Sequence, residues 1–106
     1  MIPYVAGEDG KGIRFDADFD ITGVTKITID VERPDESKFT SDVVTIGIVD
    51  VKTEYGIFKA YQYSIYVTKA GDFPEHLNGR YYVKLTYDFG SVRSLKTQSF
   101  LMEVAP

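Results

Sequence analysis

The run Leu77-Asn78-Gly79-Arg80-Tyr81 leads straight into Tyr81-Tyr82-Val83-Lys84-Leu85-Thr86-Tyr87, and no other stretch constrains the fold as strongly. A Gly-x-Tyr step at the mouth of an alternating strand is the sequence form of a tyrosine corner. In that motif, a Tyr near the start of a late strand hydrogen-bonds back to the chain leading into it. Strand side chains alternate sides, so Tyr81, Val83, Leu85 and Tyr87 share one face. The expectation is an all-β chain folded as a single antiparallel two-sheet β-sandwich. Such a scaffold does not assign a function, which has to come from a site.

The rest of the chain repeats the period of two. Thr25 to Arg33 places Ile27, Ile29 and Val31 on one face and Lys26, Thr28, Asp30 and Glu32 on the other, the pattern of a half-buried strand. Pro34-Asp35-Glu36-Ser37 ends it, because Pro removes a ladder donor and Asp and Ser favour turns. Val43 to Val51 aligns Val44, Ile46 and Ile48, with Gly47 marking a bulge or a close contact. Ile57 to Val67 aligns Tyr61, Tyr63, Ile65 and Val67 on its apolar face. Gly12 to Phe19 forms a first strand through Ile13 and Phe15, and Gln98 to Val104 a last one through Phe100, Met102 and Val104. This density of strands and turns predicts about six to eight strands. Residues 1–106 read as one domain, with 1–8 as an extended N-terminal arm.

The charge balance excludes several partners. The net charge is −4, with 12 Lys and Arg against 16 Asp and Glu. Nucleic-acid binding needs clustered cations, and an anionic membrane surface attracts them, so neither is an expected partner. No apolar run reaches the length of a membrane span. The N-terminus lacks the basic and apolar regions of a signal peptide. There are no cysteines, which excludes disulfides, thiolate metal sites and a Cys nucleophile, and favours folding in a reducing compartment.

Chemistry-bearing groupings are few. Asp16, Asp18 and Asp20 would project from one face of an extended strand, and hard oxygen ligands gathered in this way suit Ca²⁺. The glycine and closing glutamate of a calcium loop are missing, however, and the alternative is a solvated strand face with Asp20 capping the turn at Thr22-Gly23. His76 is the sole histidine and sits in a loop beside Glu75. Acid–base or nucleophilic catalysis needs positioned partners, and no such motif is present. The expectation is a protein that is not an enzyme and needs no cofactor.

Eight Tyr, seven Phe and no Trp leave two readings of the aromatics: core packing, or a face for a sugar or a protein partner. Tyr66 and Tyr82 fall opposite their apolar neighbours and are the expected exposed pair. Ile2, Tyr4 and Val5 form an apolar arm, which either covers its own sandwich or adds to the edge of a neighbour.

Several segments together carry a resemblance. They are Gly7-Glu8-Asp9-Gly10-Lys11-Gly12-Ile13, Asp20-Ile21-Thr22-Gly23-Val24-Thr25, Val31-Glu32-Arg33-Pro34-Asp35, Thr68-Lys69-Ala70-Gly71-Asp72-Phe73 and Asn78-Gly79-Arg80-Tyr81. Over nearly its whole length the chain resembles the small immunoglobulin-like structural domains of tailed bacteriophages. It is most similar to those that open baseplate upper proteins and related fibre-associated proteins. It departs from the family at Glu36, where the family turn usually has Gly. The resemblance implies a virion structural protein, assembled in the host cytoplasm and held as a symmetric homo-oligomer among other virion proteins, without catalysis or cofactor. A carbohydrate- or receptor-binding module and a capsid decoration or connector protein are the alternatives.

Overall fold

The computed structural model describes residues 2–106. Every regular element among them is a strand: β1 (Ile2–Val5), β2 (Gly12–Asp16), β3 (Lys26–Glu32), β4 (Lys38–Ser41), β5 (Val44–Ile46), β6 (Val51–Thr53), β7 (Gly56–Phe58), β8 (Tyr63–Val67), β9 (Gly79–Asp88) and β10 (Lys96–Ala105). Five strands form one sheet in the order β1-β10-β9-β3-β4, and three form another in the order β2-β8-β5. Strands β6 and β7 make a separate ribbon. All pairs are antiparallel except β1 with β10, which run parallel with Ile2 opposite Met102 and Val5 opposite Ala105. A wholly antiparallel arrangement is therefore corrected at the N-terminus.

The core follows from strand register. Ile27, Ile29 and Val31 of β3 stand opposite Tyr87, Leu85 and Val83 of β9, and all six are buried. Cross-strand neighbours of this kind are the unit of sheet stabilisation. Ile13 and Phe15 of β2 and Tyr66 of β8 join the same buried cluster from the three-stranded sheet. Phe15 meets Phe100 at 5.0 Å between ring centroids, and Phe39 meets Tyr66 at 6.3 Å, so both sheets contribute to one core. Each such burial is worth about 1.5–3 kcal/mol against exposure.

The expected tyrosine corner is present. The Tyr81 hydroxyl donates to the carbonyl oxygen of Leu77 at 2.6 Å, and its ring packs on Phe73 at 5.1 Å. At the turn after β3, the Arg33 amide donates to the Ser37 carbonyl and the Ser37 amide to the Asp35 carboxylate. Glu36 has φ 71°, a left-handed conformation that glycine adopts without a Cβ penalty.

Two strand expectations are corrected. Ile57 to Val67 is not continuous: β7 ends at Phe58, and Tyr61 takes φ 62° before β8 begins. The inward set of β8 is Ser64 and Tyr66, because the register sets Ser64 opposite Phe15 and Tyr66 opposite Ile13. Val43 to Val51 likewise breaks at Gly47. A Cβ there would run into the Tyr63 ring, which makes this the close approach that a mid-strand glycine signals.

Candidate functional site

Two surfaces are left over once the core is made. The first is the outer face of the five-stranded sheet, built from the polar positions of the same strands that form the core. Register arranges these positions in rows. Leu101, Tyr82, Glu32 and Lys38 line up across β10, β9, β3 and β4, and Ser99, Lys84, Asp30 and Thr40 form the next row. Arg80 stands opposite Glu103 one row further on. A groove of about 430 Å³ runs along the first two rows. Val31 and Val83 line it although their side chains are buried, so their backbone is its floor.

Most polar groups of this face answer one another. The Thr40 hydroxyl donates to the Asp30 carboxylate at 2.6 Å, Lys38 lies 3.6 Å from Glu32, and Arg80 lies 3.9 Å from Glu103. Tyr82 projects from the middle, 53% exposed, with Leu101 beside it. The arrangement offers one aromatic ring, one aliphatic side chain and balanced charges. It suits recognition by contact.

The second surface is at one end of the molecule. The segment between β5 and β8 carries the ribbon β6–β7. The loop between β2 and β3 bonds to it through Ala17 N–H to the Gln62 carbonyl and Ile21 N–H to the Tyr61 carbonyl, each 2.9 Å. That same loop receives Arg93, which donates to the Asp20 carbonyl at 2.8 Å from the loop between β9 and β10. Three connections therefore share this end. The ribbon is anchored by the Tyr63 hydroxyl donating to the Val49 carbonyl at 2.9 Å and by the Arg14 guanidinium 3.4 Å over the Phe58 ring. Ile57 and Tyr55 (89%) are exposed on it, Ile48 and Val49 on the segment leading into it, and Val92 (83%) and Leu95 on the loop between β9 and β10. Six large apolar side chains exposed on connections that are hydrogen-bonded to one another make this end a candidate contact surface.

The residues singled out in the sequence fall as follows. Asp16 ends β2, so the three aspartates do not share a strand face as expected. Asp16 pairs with Arg14 at 3.1 Å, the Asp18 amide donates to Gln98, and Asp20 accepts from the Thr22 hydroxyl at 2.6 Å and amide at 2.8 Å. The Thr22 hydroxyl and amide hold the Asp20 carboxyl below the usual carboxylate range. Among the described residues, no three His, Asp or Glu side chains gather closely enough to hold a metal ion. His76 is exposed in the loop between β8 and β9.

Tyr66 is corrected. It is 1% exposed, and its hydroxyl donates to Asp72 at 2.5 Å. Burial, reinforced by the Asp72 carboxylate, pushes its ionisation well up. Tyr82 is exposed. In the arm, Tyr4 is buried against Phe73 at 4.7 Å, with its hydroxyl 2.7 Å from that of Thr68. Ile2 is half-buried and Val5 exposed. Sequence reasoning did not single out Asp30, Lys84 or Leu101. Their signal was their place on the polar side of alternating strands, which gains meaning only once the strands are paired. Comparison with protein-family models, with curated proteins and with solved structures found no match.

Proposed function

We propose that this chain is an immunoglobulin-like two-sheet sandwich acting as a non-enzymatic virion structural protein of a tailed bacteriophage, an adaptor at the baseplate or tail-fibre attachment. The strand orders β1-β10-β9-β3-β4 and β2-β8-β5, the parallel β1–β10 edge and the corner at Tyr81 all support the sandwich. The resemblance of the segments from Gly7 to Tyr81 supports the virion setting.

The observation that carries the adaptor role is the apolar end formed by Ile48, Val49, Tyr55, Ile57, Val92 and Leu95. A two-stranded ribbon is marginal alone in water, and a neighbouring protein that covers it removes this apolar surface from water. This shifts the contact away from the arm, whose Tyr4 is already committed to its own core. The carbohydrate reading rested on the tyrosine content and the Asp16 to Asp20 cluster; of its expected exposed pair, Tyr82 is exposed and Tyr66 is buried.

Quantitative mass spectrometry of purified phage particles tests the proposal. Peptides of this chain at a low integral copy number relative to the portal are expected. Absence from particles refutes the virion role.

A further inference from the structure

We infer that the outer face of the five-stranded sheet is a self-association surface, on which a second copy of this chain docks face to face about a two-fold axis. The inference holds whether or not the chain belongs to a virion. It starts from charge. The chain carries −4, so two copies repel in most orientations. On this face the acids Asp30, Glu32 and Glu103 are matched by Lys38, Lys84 and Arg80, and the repulsion vanishes locally.

The match is incomplete within one copy. Glu32 pairs with Lys38 and Glu103 with Arg80. Lys84 stands opposite Asp30 in register, yet among the described residues the two form no ion pair, and the Asp30 carboxylate is held by Thr40. Lys84 thus presents a cation, and Asp30 a carboxylate with oxygen lone pairs to spare, side by side on the same face. A two-fold axis through this row sets Lys84 of each copy against Asp30 of the other, giving two equivalent ion pairs. An isologous interface requires this self-complementarity.

Tyr82 and Leu101, neighbours in register, provide the apolar centre. The groove of about 430 Å³ between them and β4 has room for the opposing Tyr82 ring. An exposed Tyr beside an aliphatic side chain, bordered by polar groups, matches the aromatic core and polar rim of protein interfaces.

Sedimentation equilibrium of the intact chain at micromolar to millimolar concentration tests this. The expected result is a monomer–dimer equilibrium that weakens as salt is added. Lys84→Glu and Asp30→Lys should each raise the dissociation constant about tenfold or more, with circular dichroism unchanged. Mixing the two variants should restore association as a one-to-one heterodimer, which a folding defect could not produce. A single species of 12.0 kDa throughout the range would overturn the inference. So would a dimer indifferent to both substitutions, or two folded variants that fail to pair when mixed.

Discussion

The two ends of this molecule use the same residue types to opposite effect. At the corner end, Tyr4, Tyr81 and Phe39 gather around Phe73, Tyr66 packs on Phe39, and the hydroxyls of all three tyrosines are hydrogen-bonded. Arg33 ties this end together by donating to the carbonyls of Asp72 and Gly71 at 3.0 and 3.2 Å. At the ribbon end, Ile48, Tyr55, Ile57 and Val92 stand in solvent. The difference lies in what is stacked above each strand. Alternation aligns apolar side chains on a face, but they are buried only where a second sheet covers that face. The corner end has that cover. The ribbon end lacks it and is free to meet another surface.

Alkaline pH should break the contrast most completely. Burial raises the ionisation of Tyr4, Tyr66 and Tyr81 above the ordinary value of 10.0, and that of Tyr87, further along β9, to about 12. A tyrosine whose folded pKa is raised binds its proton more tightly in the native state. Its contribution is complete below pH 10 and is lost as pH rises through the folded value. Unfolding monitored by circular dichroism should therefore set in above pH 10 and be steep near pH 12. A flat stability profile to pH 12 would remove the buried tyrosine cluster.

Phe73→Ala should cost about 3–5 kcal/mol in urea unfolding, as expected for a buried ring at the centre of an aromatic cluster. Gly47→Ala should cost about 1–3 kcal/mol, because the added methyl displaces the Tyr63 ring that anchors the ribbon. Hydrogen exchange should show the loss of protection in that variant concentrated at β6 and β7. Tyr81→Phe keeps the ring and deletes the bond to Leu77, costing about 1 kcal/mol. Tyr55→Ser at the ribbon tip should lie within about 0.5 kcal/mol of the parent chain. A large loss there would mean that the ribbon is packed and the contrast false.

Much of the corner end was legible in the sequence. Gly79-Arg80-Tyr81 announces the turn and the hydroxyl bond, because the motif is local and spans only a few residues. The β3 faces were legible too, since Ile27, Ile29 and Val31 alternate with polar residues without ambiguity. Strand β8 was not. Tyr63, Ile65 and Val67 look like its buried face by composition, yet Ser64 and Tyr66 face the core, Tyr63 is buried on the other side against Gly47, and Val67 is exposed. Ser64 leaves room opposite Phe15, and its hydroxyl is the one buried side-chain polar atom without a partner among the described residues. The aspartates failed as a group because the chain leaves extended geometry after Asp16.

The sequence alone determined that this protein is built of strands, where its corner lies and which face of β3 and β9 is apolar, because these depend on period-two alternation and short-range turn chemistry. Tertiary structure decided the rest. The parallel β1–β10 edge buries Tyr4, the β2–β8 register buries Tyr66, the pairing of β9 between β10 and β3 leaves Tyr82 exposed on the outer face, and the same pairing brings Lys84 beside Asp30. Those outcomes depend on which strands meet and in what register, a choice made by the whole core rather than by any segment of the chain.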